Sequence, residues 1–445
     1  MGDAQSIPPR SDHAQSAANW VSSQRRSLRR QLVHAAIVAD ANAVHAPGAL
    51  LLEGGEVLAC GTPQQLGAPT ADMEHETRAN ALICPPLVNA HAHLDLSACP
   101  VPDQGSGFDA WLSGIREHRI AQAAEQGAIE HAVQRGVVES LQGGCGFVGD
   151  ISGSKAALSA LRASPLAGCG FLEFLGHGER AQRAATLIDE IVASDSGHER
   201  VRLGISPHAP ISTGELVYQR AAASGLPVAT HLAESPEELA WCQDGSGPFQ
   251  ALLESSGYEP GAVQPPGAHP LDVFLPLLPG RRAVGVHLNY IDEGHLEALA
   301  TSGVGVVYCP RASRYFGHPR PGGAPHVWRE MLACGIPVAL GTDGRPCLPG
   351  PGMRGERLSV LDDAICLIQE DGARLEEWIA LSTVHGARAL GLERSQVTLE
   401  PGRKRGLVAI ELEAPDRPTL TRDARVEWLF FDEQAPVRFE SEDQS

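Results

Sequence analysis

The sequence predicts a (β/α)8 TIM barrel with a small β-sandwich built from the two chain flanks, on three observations. Eight short apolar or β-branched runs recur between about residues 80 and 392, each separated from the next by a helix-like stretch and a polar loop. Glycines sit just past the clearest helix-like stretches, at Gly225, Gly303 and Gly335, where a left-handed cap is expected. Both ends of the chain change texture to short β runs broken by turns. A doubly wound open sheet is the alternative, but no G-x-G-x-x-G follows any run.

Residues 1–29, rich in Ser, Gln and Ala, read as a disordered lead-in. Arg25-Arg26 invites an export-signal reading, yet the apolar run after it is too short and too polar. Residues 30–80 and 394–445 form the composite β-sandwich; runs such as Ala49–Leu52 and Glu56–Ala59 end in turns, and Gly406–Ile410 resumes the pattern. The barrel occupies 81–393. Its strands are expected around Ile83–His91, Cys145–Asp150, Gly170–Leu175, Val201–Ser206, Pro227–His231, Ala283–His287, Val304–Cys309 and Pro337–Gly341. A proline- and glycine-rich excursion, Gly245–Arg282, follows the fifth strand and either covers the site or decorates it.

Composition narrows the function. A 43% hydrophobic and 20% charged chain is an ordinary globular protein with ample core. Net charge is −19 and no basic cluster accompanies an aromatic stripe, which argues against nucleic acid. No run approaches the roughly 20 apolar residues that span a bilayer. Ten cysteines without a C-x-x-C pair read as buried thiols in a reducing, cytoplasmic setting.

His91-Ala92-His93 ends the first strand, and alternate strand residues face one way, so both imidazoles can share a cation. His231 ends the fifth strand and Asp343 follows the eighth. Three imidazoles and a carboxylate suit one divalent metal, zinc first, with iron or manganese as alternatives. His208 follows strand four and His287 ends strand six, so six polar groups converge on the rim where barrels carry their chemistry. Glu234, three residues after His231, precedes a helix start at Ser235-Pro236-Glu237-Glu238 that reads as a capping box. This places Glu234 in the strand-to-helix turn as a catalytic carboxyl; a solvated loop glutamate or a helix N-terminus stabiliser is the alternative. Ser212–Glu215 reads as a second capping box. Glu173 on strand three could offer a carboxylate to a second ion, but no lysine lies on strand four to bridge two metals, so one metal is expected.

On Pro86–His93, His231, Glu234, His287 and Gly341-Thr342-Asp343, taken in order, the chain resembles the amidohydrolase superfamily over nearly its whole length. The H-x-x-E at His231–Glu234 is similar to the mononuclear branch holding adenosine-type, S-adenosylhomocysteine, guanine and aminofutalosine deaminases and triazine chlorohydrolases. Val307–Arg311 and Tyr315–His318 look most like the aminofutalosine-deaminase type. The run after Asp343 departs from the branch, lacking its serine and Ser-Asn pair, which puts the substrate's identity in doubt. The resemblance implies that His91, His93, His231 and Asp343 hold a metal whose bound water is the nucleophile. Asp343 would take the water's proton, Glu234 would act as general acid and His287 would bond the attacking water. It implies substrate contacts at His208, with Arg311 and His318 as further candidates, a small-molecule substrate, and a homodimer. The expected reaction is deamination of an aminated N-heterocycle of the purine-nucleoside type. Chloride removal or cyclic-amide opening at the same centre is one alternative; a metal-free binding barrel is another.

Overall fold

The computed structural model describes residues 29–101, 107–318, 325–348, 356–413, 420 and 424–440. The expected lead-in, apart from Arg29, and the 349–355 part of the loop after strand eight lie outside them. The barrel strands are Leu87–His93, Cys145–Ser152, Ala167–Phe174, Val201–Pro207, Val228–Leu232, Ala283–His287, Gly305–Tyr308 and a split eighth strand, Val338–Leu340 plus Asp343–Gly344. All neighbours are parallel. The first half of strand eight pairs with strand seven and the second half with strand one, so the sheet closes on itself. The Thr342 amide, between the halves, donates to the His91 carbonyl at 2.9 Å.

The barrel's interior follows the two-residue pleat. Val88, Ala90, Ala229, Val284, Val286, Val307 and Ala339 pack inside, while Leu87, Val228, Ala283, Val306, Val338 and Leu340 face the surrounding helices. Strand one then breaks its own alternation. Its register to strand two slips between Asn89 and Ala92, after which Ala92 packs outward with the helices. That irregularity carries His91 and His93 to the mouth; an unbroken pleat after Ala90 would have sent Ala92 there instead. Gly341 is required nearby, because a Cβ on it would stand 2.8 Å from both His91 Cβ and Val307 Cγ1.

Strand one begins at Leu87, not at Ile83. Pro85-Pro86 cannot donate to a ladder, and Leu82–Cys84 instead ends the flank strand Glu74–Cys84. That strand lies in a mixed, eight-stranded sheet with Arg30–Ala39, Gly48–Glu53 and Glu56–Gly61 from one end of the chain and Gly406–Glu411 and Val426–Phe431 from the other. One set of its residues, including Ile37, Leu82, Val408 and Trp428, joins the barrel's outer core. The other set, Val33, Leu50, Leu52, Val57, Ile83, Leu407 and Phe430, buries a separate core of its own. Burying both faces requires the sheet to curl over this second cluster. Among the described residues no helix is long and apolar enough to cross a membrane.

A helix that pattern reading had not placed, Phe108–Ala124, lies between strand one and the Ala128–Gln142 helix. Phe108, Trp111, Leu112 and Ile115 line the cleft at the barrel mouth together with His93, His208, His231, Glu234 and Asp343. The excursion after strand five buries Phe249, Leu253 and Val263 against Phe108, Ile211 and Trp241. It therefore backs the helix that covers the site.

Candidate metal centre and catalytic site

The four expected ligands meet. One ligand atom from each of His91, His93, His231 and Asp343 lies within 4.8 Å of all the others, and all four residues are buried. His93 Nε2 is 3.3 Å from His231 Nε2 and 3.4 Å from Asp343 Oδ1; His91 Nε2 is 3.6 Å from that oxygen. Ligands held about 2.0–2.1 Å from a tetrahedral zinc ion stand roughly 3.3–3.4 Å apart, so the spacing fits. Neither ring nitrogen of His91 has a hydrogen-bond partner, a costly state for buried polar atoms that a cation would relieve. Burial also drives the pKa of His93 and of His231 well below the usual value, leaving neutral rings with a lone pair to give.

His231 is oriented from behind. Its Nδ1 is 2.9 Å from the His208 carbonyl, so it carries the proton there and Nε2 faces the centre. Asp343 Oδ1 accepts from the Gly344 amide at 2.7 Å, and Oδ2 accepts from the Cys347 thiol at 3.3 Å. Burial would raise its pKa, but the nearby rings of His91, His287 and His93 prevail and hold it well below the carboxylate range.

Glu234, His287 and Asp343 form a second cluster at the same spacing. His287 Nε2 lies 3.6 Å from Glu234 Oε1 and is otherwise unpartnered. Burial lowers the His287 pKa to about 3, so the ring is neutral at any working pH. Glu234 is the opposite case. Burial first, then the charges of Asp343, Glu238 and Glu237, raises its pKa well above the usual value, which favours the protonated form. The four non-glycine residues with positive φ among those described are Ala233 (48°), His287 (75°), Leu288 (48°) and Asp343 (60°). All four are a site residue or its immediate neighbour in the chain; such strain is characteristic of functional sites.

The remaining predicted residues divide. His208 lines the cleft, with Nδ1 2.6 Å from Ser212 Oγ and its ring 5.0 Å from that of His231. The second capping box does not form: Gly214 is the N-cap, and Ser212 serves His208 instead. The first box forms by half, since Ser235 Oγ accepts from the Glu238 amide but the Glu238 carboxylate turns to Ala233 and Glu234. His318 stands beside the aromatic wall, bonded to Tyr290 Oη at 3.1 Å, with its Nε2 buried and unpartnered. Arg311 is a correction. Its guanidinium is buried against Asp363 at 2.7 and 3.0 Å and donates to the Arg357 and Ser359 carbonyls, so it has no face toward substrate. Glu173 gives no free carboxylate for a second ion. It is bonded to Arg119, which outweighs burial and holds its pKa at about 2. Arg119 and the aromatic wall were overlooked in the sequence, although Phe108, Trp111, Leu112 and Ile115 already repeat with helical period.

Comparison with known proteins agrees with this geometry. The amidohydrolase family model matches residues 82–440. An aminodeoxyfutalosine deaminase of Deinococcus radiodurans is 32% identical over 324 residues, covering 67% of this chain and 72% of its own. A 5-methylthioadenosine/S-adenosylhomocysteine deaminase of Nitratidesulfovibrio vulgaris is 27% identical, covering 86% and 84%. Two solved structures share the fold at a TM-score of 0.65. One is an aminofutalosine deaminase of Helicobacter pylori, at 21% identity over 88% of this chain and 94% of that one. The other is an adenosine deaminase of Xanthomonas campestris with bound zinc, at 20% identity over 88% and 86%. With its family match spanning most of the barrel and the C-terminal flank, the chain belongs to the amidohydrolase family.

Proposed function

We propose that this chain is a metal-dependent hydrolase that deaminates an aminated N-heterocycle of the purine-nucleoside type, releasing ammonia. His91, His93, His231 and Asp343 would hold zinc, which when bound lowers the pKa of water to about 7 and supplies a nucleophile at neutral pH. Asp343, ionised and within reach, accepts one proton of the attacking water. Glu234, protonated, gives its proton to the ring nitrogen beside the carbon under attack. His287 donates or accepts a hydrogen bond at the adding oxygen. The proton held by Asp343 then passes to the amino nitrogen, the C–N bond breaks with its electron pair on nitrogen, and ammonia leaves. The oxygen's second proton returns to Glu234, so the ring gains a carbonyl and an N–H and the residues regain their starting states.

The observation carrying this reading is the placement of Glu234, a part-buried carboxyl 3.6 Å from His287 and beside the cation cluster, where its raised pKa favours the acid form. Ring protonation by Glu234 would serve chloride removal equally, so what favours deamination is the deaminase names of the sequence relatives. The deaminase relatives supply the substrate class, aminofutalosine-like and adenosine-like nucleosides. A reducing, cytoplasmic setting is supported by the ten cysteines, all unpaired. The family likeness is what supports a homodimer.

The test is ammonia release by the zinc-loaded protein across a panel of 6-aminopurine nucleosides, including aminofutalosine-like compounds, beside chloride release from chlorotriazines and opening of cyclic amides. Ammonia from at least one nucleoside supports the reading. Chloride release or ring opening alone would replace it, and inertness with no bound metal would point to a binding barrel.

A further inference from the structure

Glu234 stands on a turn whose backbone is bonded at five points by groups outside it. The Glu238 carboxylate accepts from the Ala233 amide at 3.0 Å through one oxygen and from the Glu234 amide at 2.8 Å through the other. The Asn289 side-chain amide donates to the Glu234 carbonyl at 3.0 Å, and Ser313 Oγ in turn fixes Asn289 Oδ1 at 2.8 Å. The Leu288 and Tyr290 amides reach the carbonyls of Leu232 and Ala233 at 3.0 and 3.2 Å. The turn that carries Glu234 is thereby joined to the turn that carries His287, and the left-handed conformations of Ala233, His287 and Leu288 all fall inside this joint.

Nothing in ordinary helix capping calls for this. A capping-box glutamate would bond the N-cap amide, that of Ser235; Glu238 bonds the two residues before it instead. A carboxylate with two acceptor oxygens suits two amides pointing the same way, and Ala233 cannot reach its strained φ cheaply without such a partner.

We infer that Glu238 is a positioning residue for the general acid: its carboxylate clamps the Ala233 and Glu234 amides and so fixes the Glu234 carboxyl against His287. The inference rests on the deaminase reading. Glu238 borders the cleft, but both its oxygens are engaged by these two amides, so it acts through Glu234, with Asn289 holding the other side of the same peptide.

The experiment is a double-mutant cycle on the zinc-loaded full-length enzyme. Glu238→Ala removes both acceptors and should lower kcat about a hundred-fold, the scale of a small misplacement of a catalytic group. Glu238→Gln keeps one acceptor and should lose less. KM and bound metal should stay within about two-fold, because the loss falls on the chemical step. In a Glu234→Gln background, Glu238→Ala should cost almost nothing further, since both act as one unit. Hydrogen exchange of the peptide spanning 231–238 should show loss of protection at the Ala233 and Glu234 amides in Glu238→Ala. Multiplying losses in the double variant, depleted metal, or unchanged exchange would overturn the inference. Should the wild type release no ammonia from any substrate, the deaminase reading fails by that result. The exchange measurement still reports on the clamp.

Discussion

The flank sheet and the barrel mouth obey opposite rules. The flank core, built on Val33, Leu50, Leu52 and Ile83, is aliphatic apart from Phe430, and its register follows the pleat with a few bulges. The mouth gathers buried imidazoles with unpartnered nitrogens, carboxyls whose pKa values are pushed in opposite directions, and every positive-φ non-glycine residue among those described. In the first region each group is where its own preference puts it. In the second, groups are held where their preferences oppose, which is what a site that binds a cation and moves protons requires.

Five measurements can break or sharpen that contrast. Asp343→Asn removes a ligand and the proton acceptor together; turnover should fall on the order of 10⁴-fold, with bound metal reduced, by ammonia assay and metal analysis. Full turnover in this variant would end the proposed mechanism. Glu234→Gln should cost about 10²–10⁴-fold in kcat while the metal stays at its wild-type stoichiometry. The wild-type pH profile should carry the matching sign. Glu234 works protonated and its pKa is raised, so kcat should drop as pH rises through that pKa; the Gln variant should lack this alkaline limb.

The other two measurements probe stability away from the chemistry. Arg311→Ala strands the buried Asp363 carboxylate and should lower unfolding free energy by about 3–5 kcal/mol in denaturant titration, with kcat per folded molecule retained. A large fall in kcat would return Arg311 to the substrate pocket. Leu50→Ala in the flank should cost about 2–5 kcal/mol, again without effect on kcat. If it instead altered catalysis, the two regions would not be separable as argued.

The legible part of the molecule was the part where local preference and final structure agree. All eight barrel strands, the metal ligands and Glu234 stood out because strand ends in a barrel converge, so sequence position becomes spatial position. What stayed hidden depended on partners. Arg311 reads as a weaker substrate-contact candidate with a salt bridge at least as open, and Asp363, 52 residues away, decides for the ion pair. Ser212 looked like a cap until His208 claimed its hydroxyl. The Pro85-Pro86 boundary was misread because the apolar run continues across it, and only pairing to Gly406–Glu411 assigns Leu82–Cys84 to the flank. The Phe108–Ala124 helix shows a different failure: its apolar stripe was present, but a barrel template reserves that interval for a loop.

The split in the eighth strand has a consequence for how the protein comes into being. Asp343 pairs beside Ala92, at the junction where the last strand meets the first. During synthesis on the ribosome, His91, His93 and His231 emerge long before it, and the pocket stays three-sided until that late stretch arrives. The pairing that closes the sheet is thus also the one that completes the four-residue cation site.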